Sequence, residues 1–361
     1  METTDILVVG AGLAGLHVAY RLEQAGASSL LLEARDRPGG RIENAVAPTG
    51  APSAFDLGPS WFWPHQRRIH ALLRELEIPW FDQHTRGAAV FEQSVNESPL
   101  RSEGAGAARS HRISGGTGAL INGLARQLRL NQIRTGHRLE VAQHDGESWV
   151  ATVAASEKKQ QVRAEHLVLA LPPRQLVRVV EQSALPAGML EDLRRQQTWM
   201  SGQAKFLAVY PQPFWRTEGL AGEAFSRAGP LVEIHDASSE DAQQAALFGF
   251  LGLPAQLRAK AGADPLIEAC IAQLKRLFGP QAGAPAWTAY RDWATEPFTA
   301  TAADLAEAPA HAAFPGSRYA QALTEQKLWL AGSEFASREP GYLEGALEAS
   351  GAVVDALLSQ R

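Results

Sequence analysis

The run Asp5-Ile-Leu-Val-Val9 ends on Gly10-Ala-Gly12-Leu13-Ala14-Gly15, and apolar and small residues then alternate at helical spacing to about Ala25. That pattern is a strand, a tight glycine turn and a helix. Each glycine has a physical reason: Gly10 makes the sharp turn, Gly12 lets backbone N–H groups approach a pyrophosphate, and Gly15 lets the helix pack close to the strand. The helix N-terminus then faces the anion. A second apolar run, Ser29-Leu-Leu-Leu32, ends on Glu33, 18 residues beyond Gly15. An acid there reaches a ribose 2′-hydroxyl and repels a 2′-phosphate, which points to FAD or NAD rather than NADP. A glycine triplet alone is weak evidence in a chain with 32 glycines. The strand before it, the helix after it and the acid beyond give it weight.

Composition bounds the class. The chain has 361 residues, 45% apolar and 20% charged, the balance of a soluble globular protein. At roughly 150 residues per domain the length suggests about two domains. Lys and Arg number 34 against 39 Asp and Glu, a net charge of −5, and no sustained basic run occurs. Nucleic acid and acidic membrane surfaces are therefore not expected as partners. The single cysteine, Cys270, sits at helical spacing among apolar residues, which suits a core position and permits neither an intramolecular disulfide nor a thiolate cluster. His65 and His70 fall five apart and share no helical face, so no metal is expected. Ile6 to Leu16 could pass for the apolar part of a signal peptide, but Glu2 and Asp5 precede it and no Lys or Arg does. The expectation is a cytoplasmic protein of unknown oligomeric state.

Periodicity places further elements. Ile69, Leu72, Leu73 and Leu76 predict an amphipathic helix over 67–77, and Leu120, Ile121, Leu124 and Leu128 predict another. Alternation on either side of Asp145-Gly146, from about Leu139 to Val153, predicts a β-hairpin, and His166 to Pro173 reads as a buried strand stopped by prolines. Between Phe81 and Ser110 the pattern breaks down, and residues 97–110 read as a flexible, lid-like loop.

Beyond the turn, Glu33-Ala34-Arg35-Asp-Arg-Pro-Gly39-Gly40-Arg41 resembles the second signature of the flavin-dependent amine oxidases. Asp56-Leu-Gly58-Pro59-Ser60-Trp61 resembles that family's element beside the flavin. A lysine-bearing strand followed by Pro-Phe-Trp-Arg216, a Trp293…Glu-Pro-Phe298 element, and Ala-Gly332-Ser333-Glu334 followed by Gly341-Tyr342-Leu343-Glu-Gly-Ala are similar to the rest of its order. The resemblance spans the chain. It implies an α/β fold: a Rossmann-like FAD-binding domain of the glutathione-reductase type (residues 1–79, 111–185 and 296–361) with an inserted α+β substrate domain (80–110 and 186–295). It implies FAD contacts at Gly10, Gly12, Leu13, Ala14, Gly15, Glu33, Ala34, Arg35, Gly40, Arg41, Gly58, Pro59, Ser60, Trp61, Leu139, Gly332, Ser333, Tyr342 and Leu343. Lys205 matches the family lysine near the reacting flavin atom, and its pKa should fall if it is buried. Tyr342 matches one wall of an aromatic cage, and Trp293 the tryptophan packed beside the flavin.

Two departures modify this expectation. Where relatives with covalent flavin carry a Gly-Cys-Tyr stretch, this chain reads Thr301-Ala302-Ala303. FAD should therefore be non-covalent, and the second cage aromatic is missing at Ala303, with Trp61, Trp63 or Trp215 as candidates to replace it. The implied reaction is oxidation of a primary or secondary amine to an imine, with dioxygen reduced to hydrogen peroxide. The alternatives are a dehydrogenase or desaturase acting on a non-amine, since FAD motifs do not specify the substrate, and a non-catalytic FAD-binding protein.

Overall fold

The computed structural model describes residues 1–49, 52–103, 109–156, 158–307, 310 and 313–360. Two seven-stranded sheets organise the chain. In the first, the strand Glu2–Val9 pairs in parallel with Ser29–Leu32 on one side and with the long strand Lys158–Leu169 on the other. The hairpin His137–His144 and Trp149–Ala155 extends one end, Ile133–Arg134 closes the other, and Leu328–Leu330 pairs with the C-terminal part of Lys158–Leu169. Ile6 and Val8 face a core built with the helices Leu13–Gln24, Gly118–Arg126 and Leu343–Ser359, whereas Leu7 and Val9 face a second core under the hairpin. Coverage of both faces is why this strand reads as an unbroken apolar run rather than as an alternation.

The second sheet runs in the order Trp287–Asp292, Ala204–Tyr210, Ala245–Leu251, Leu231–Asp236, Leu220–Ser226, Ala88–Glu92, Leu100–Ser102. It is antiparallel except for the pair formed by Ala88–Glu92 and Leu220–Ser226. The helix Ala263–Phe278 covers one face, packing Leu266, Cys270 and Leu274 against Phe206, Ala208 and Tyr210. The opposite face carries Leu207, Val209 and Phe248 and meets Phe55, Leu57 and Trp61 from the N-terminal segment. By the two-residue period of a strand, Lys205 shares this second face.

The hairpin, the strand stopped by prolines and the two amphipathic helices stand where periodicity predicts them, the helices as Arg67–Glu75 and Gly118–Arg126. The expected irregular stretch does not. Trp80–Asp82 pairs with His111–Ile113, Ala88–Glu92 joins the second sheet, and Leu100–Ser102 lies inside the presumed lid. Strands of three to five residues are too short for alternation to declare them, and long-range pairing decides instead. Residues 104–108 of that loop lie outside the described residues. Among the described residues no helix is long and apolar enough to cross a membrane.

Candidate active site

A cavity of about 670 Å³ lies between the sheets, and every site residue expected from the sequence except Gly15 lines it. Gly15 is a correction. A Cβ there would sit 1.9 Å from the Gly10 carbonyl oxygen, so this glycine serves the packing of helix on strand and does not reach the cavity. Gly12 is the opposite case: beyond its chain neighbours, the nearest atoms to its missing Cβ are Gly39 O and the Gly40 Cα, both at 3.9 Å. The space it leaves belongs to the cavity. The helices Leu13–Gln24 and Leu343–Ser359 both begin without a side-chain cap and set Leu13, Ala14 and Leu343 on the cavity wall. Their free N–H groups and positive dipole ends make that wall a place for anionic oxygen.

Charged side chains complete this half. Glu33 is buried; its Oε2 accepts the Ala11 N–H at 2.8 Å and its Oε1 the Arg35 N–H at 2.9 Å. Each carboxylate oxygen retains a lone pair for a hydroxyl donor. Arg35 donates through Nη2 to Thr299 Oγ1 at 2.9 Å and lies 3.2 Å from Glu296 Oε1, while its buried Nε has no partner among the described residues. Arg41 forks onto Glu334 at 2.6 and 3.0 Å and donates to Ser333 Oγ at 2.9 Å. Glu334 stands inside a motif visible in the sequence, yet its part in holding Arg41 emerges only here. An open glycine turn, two uncapped helix starts, a buried acid and an orphaned guanidinium donor fit the diphosphate and ribose of a dinucleotide.

Lys205 is 1% exposed on the strand Ala204–Tyr210. Its Nζ donates to Ser60 Oγ at 2.6 Å and to the Gly58 carbonyl at 3.1 Å, and lies 3.9 Å from the centre of the Phe248 ring. Burial lowers its pKa to about 7, with Arg112 adding to the fall and Asp56 opposing it.

Aromatic rings shape the remainder. Trp293 is buried, donates its Nε1–H to the Leu57 carbonyl at 3.0 Å, and carries the Arg291 guanidinium 4.6 Å over its ring. Tyr342 packs against Trp63 (centroids 5.8 Å apart, nearly perpendicular) and Trp199 (6.2 Å). Gly341, at φ +87°, lets Trp199 approach; a Cβ there would fall 2.6 Å from the Trp199 Cβ. Of the three candidates for the missing wall, Trp61 and Trp63 line the cavity and Trp215 does not. Trp215 is wholly buried beside Tyr210 and Phe214, with its Nε1–H on Asp236 Oδ2 at 2.8 Å, because its neighbour Phe214 and the strand Leu220–Ser226 seat it in the sheet core. Ala303 sits exposed on the short helix Ala302–Ala306, away from the cavity. Trp199 was missed because its stretch, Gln196 to Ser201, carries no periodic signal, and only the glycine 142 positions later makes room for it.

Comparison with known proteins agrees with this geometry. The family model described as flavin containing amine oxidoreductase matches residues 84–358, and one described as an NAD(P)-binding Rossmann-like domain matches residues 8–76. A Dictyostelium discoideum protein described as a probable flavin-containing monoamine oxidase A is 23% identical over 95% of this chain and 95% of its own. Among solved structures, a putrescine oxidase bound to putrescine superposes with a TM-score of 0.82 at 20% identity, covering 99% of each chain. Cyclohexylamine oxidase from Brevibacterium oxydans gives 0.79 at 18% identity over 99% of this chain and 100% of its own. With an FAD-type dinucleotide cavity, a buried lysine and an aromatic chamber meeting in one space, and a family model matching most of its length, this chain belongs to the flavin-containing amine oxidoreductases.

Proposed function

We propose that this chain oxidises a primary or secondary amine to an imine in the aromatic end of the cavity, with FAD held non-covalently and dioxygen as the final oxidant. The observation that carries this reading is the buried amine of Lys205, fixed by Ser60 and Gly58 inside the cavity that also holds the glycine turn. The turn Gly10–Ala14, Glu33, Arg35 and Arg41 would hold the diphosphate and ribose of FAD, and the start of the helix Leu343–Ser359 would face its ring. FAD, when bound, supplies the acceptor for the hydride equivalent leaving the carbon next to nitrogen.

This chain's own residues act around it. The rings of Trp63, Trp199 and Tyr342 exclude water and favour the uncharged amine, the form whose α-carbon can give up hydride. Trp293 stiffens the wall through its bond to Leu57. Lys205, with a pKa of about 7, exchanges a proton inside the cavity at neutral pH, and in its charged form favours electron transfer to oxygen. The domain division follows the two sheets: the first carries the cofactor turn, the second carries Lys205.

The test is anaerobic mixing of the yellow protein with alkylamines, arylalkylamines, amino acids and polyamines, following the oxidised-flavin absorbance. Bleaching by an amine class supports the proposal and names that class. A flavin that dithionite bleaches and no amine does would overturn it.

A further inference from the structure

Asp56, Arg112 and Thr117 are buried and none of them lines the cavity, yet all three bear on Lys205. Asp56 is the last residue of the strand Pro52–Asp56, and the turn after it carries both acceptors of the lysine amine, the Gly58 carbonyl and Ser60 Oγ. Thr117, which precedes the helix Gly118–Arg126, donates its backbone N–H and its hydroxyl to Asp56 Oδ1, each at 2.7 Å. The same hydroxyl lies 3.2 Å from the Pro59 carbonyl. Trp293 holds the Leu57 carbonyl, and a Cβ on Gly58 would fall 2.0 Å from the Arg41 carbonyl oxygen. The turn is gripped along its length, and the acceptors of Lys205 stand where Asp56 and Thr117 set them.

A neutral amide would anchor that turn as well, so the acid at this position has a second task, because a buried carboxylate is costly unless it is paired. Its Oδ2 has no hydrogen-bond partner among the described residues. Arg112 Nη2 stands 3.9 Å away, too far for a hydrogen bond. Arg112 is engaged elsewhere, with Nη1 on the Ser238 carbonyl at 2.9 Å and its guanidinium 5.7 Å from the centre of the Phe81 ring. Charged groups on the strands beside Lys205 are already paired. Arg291, in register on one side, meets Glu296 at 2.7 Å and Glu43 at 3.3 Å. Phe250 is in register on the other side, and Glu233, beyond it in the same row, meets His235 at 2.7 Å. Asp56 is the acid whose attraction favours the charged Lys205 amine, and Arg112 opposes it. The influence is mutual: burial pushes the Asp56 carboxyl up, and Arg112, Lys205 and the Thr117 bonds hold it back.

We propose that Asp56 is a positioning residue for the oxidation: through Thr117 it seats the turn that fixes the Lys205 amine, and its charge, set against that of Arg112, decides how readily that amine gives up its proton. This rests on amine oxidation in the cavity that Lys205 lines. Asp56 itself stays outside the cavity and acts only through the lysine. The two roles are separable by substitution. Asparagine at position 56 keeps an acceptor for Thr117 and loses the charge, whereas valine at position 117 loses the hydroxyl and leaves the charge in place.

The experiment takes the flavin-loaded wild type, Asp56→Asn, Arg112→Gln, Thr117→Val and Lys205→Met, with an amine that bleaches the flavin. Flavin reduction and its reoxidation by dioxygen are followed across the neutral range. The wild type is expected to show a pH limb near 7 in the step that Lys205→Met slows, and the lysine variant to lack it. D56N should move that limb down by about one pH unit and R112Q should move it up, each as its charge dictates. General damage to the fold would move both alike. T117V should keep the limb and slow the step about tenfold at every pH, the scale of one buried hydrogen bond. A limb that stays put in D56N with flavin still bound overturns the electrostatic role, and a T117V enzyme as fast as the wild type overturns the seating role. If D56N does not fold, R112Q decides alone: an upward move supports the proposal and an unmoved limb overturns it. A second readout requires no turnover. The pH at which the urea midpoint begins to gain on that of the matching Lys205→Met chain marks the folded lysine pKa, and it should fall in D56N and rise in R112Q. Flavin bleached by no amine, with this shift present, overturns the amine reading and leaves the coupling of Asp56 to Lys205 standing; with the shift absent, both fall.

Discussion

Lys205 is the one charged side chain on a strand whose seven residues are all buried, and its chemistry follows from that placement. Lys205 is the second residue of Ala204–Tyr210, and by sequence alone a strand-end lysine reaching solvent is the commoner reading; only the family motif around it marks it for the site. That Gly58 and Ser60, 147 and 145 residues away, would be its partners was not legible. The folded pKa of about 7 lies below the ordinary 10.5, so between those values the unfolded chain binds the extra proton. Stability from this group therefore rises as pH climbs from about 7 to about 10. We expect the urea midpoint of the wild type to gain on that of Lys205→Met between pH 7 and pH 9.5; parallel midpoints would show that the lysine is not buried as described. The same variant should slow flavin reduction or reoxidation by about a hundredfold, on the scale of a lost catalytic group, with flavin still bound. Loss of the flavin would instead make Lys205 a structural residue.

At the scale of elements, the helix Arg67–Glu75 shows what periodicity reaches and what it does not. Its apolar stripe, Ile69, Leu72 and Leu73, is buried as the spacing predicts. Nothing local caps it. Its first-turn N–H groups of Arg68 and Ile69 donate to the two oxygens of Glu344, each at 3.0 Å. Glu344 belongs to the first turn of the last helix, so one acid serves the positive ends of two helices. That link ties the start of Leu343–Ser359, and with it Tyr342, to the N-terminal half of the chain. Glu344→Ala should cost about 1 kcal/mol, the usual loss for a cap, measured by equilibrium denaturation. An unchanged midpoint would mean that water replaces the carboxylate without penalty. The short strands between Trp80 and Ser102 make the complementary point: their pairing partners lie on distant segments, and local alternation had too few residues to reveal them.

For the whole molecule, the cavity is assembled from segments spread over more than 330 residues, from Val9 to Ala346, with walls from both sheets. A ligand filling it should therefore stabilise both sheets together. Stripping the flavin should lower the thermal midpoint, and adding FAD should restore it in a concentration-dependent way. Covalent attachment has no thiol to use: the stretch at Thr301 carries none, and Cys270 is fully buried under the second sheet, where burial pushes its thiol up to about 12. Acid precipitation should leave the yellow colour in the supernatant; flavin that stays with the denatured pellet would contradict a non-covalent site. The sequence by itself determined the dinucleotide turn, the buried central strand, the family order of motifs and the presence of a lysine where the chemistry needs one. These are legible because backbone geometry and burial impose two- and 3.6-residue periods on neighbouring residues. Only the tertiary structure decided that Trp199 and not Trp215 stands at Tyr342, that Glu334 holds Arg41, and that Glu233 shares a row with Lys205. Those outcomes depend on strand register and on close approaches between segments a hundred or more residues apart, which no local period encodes.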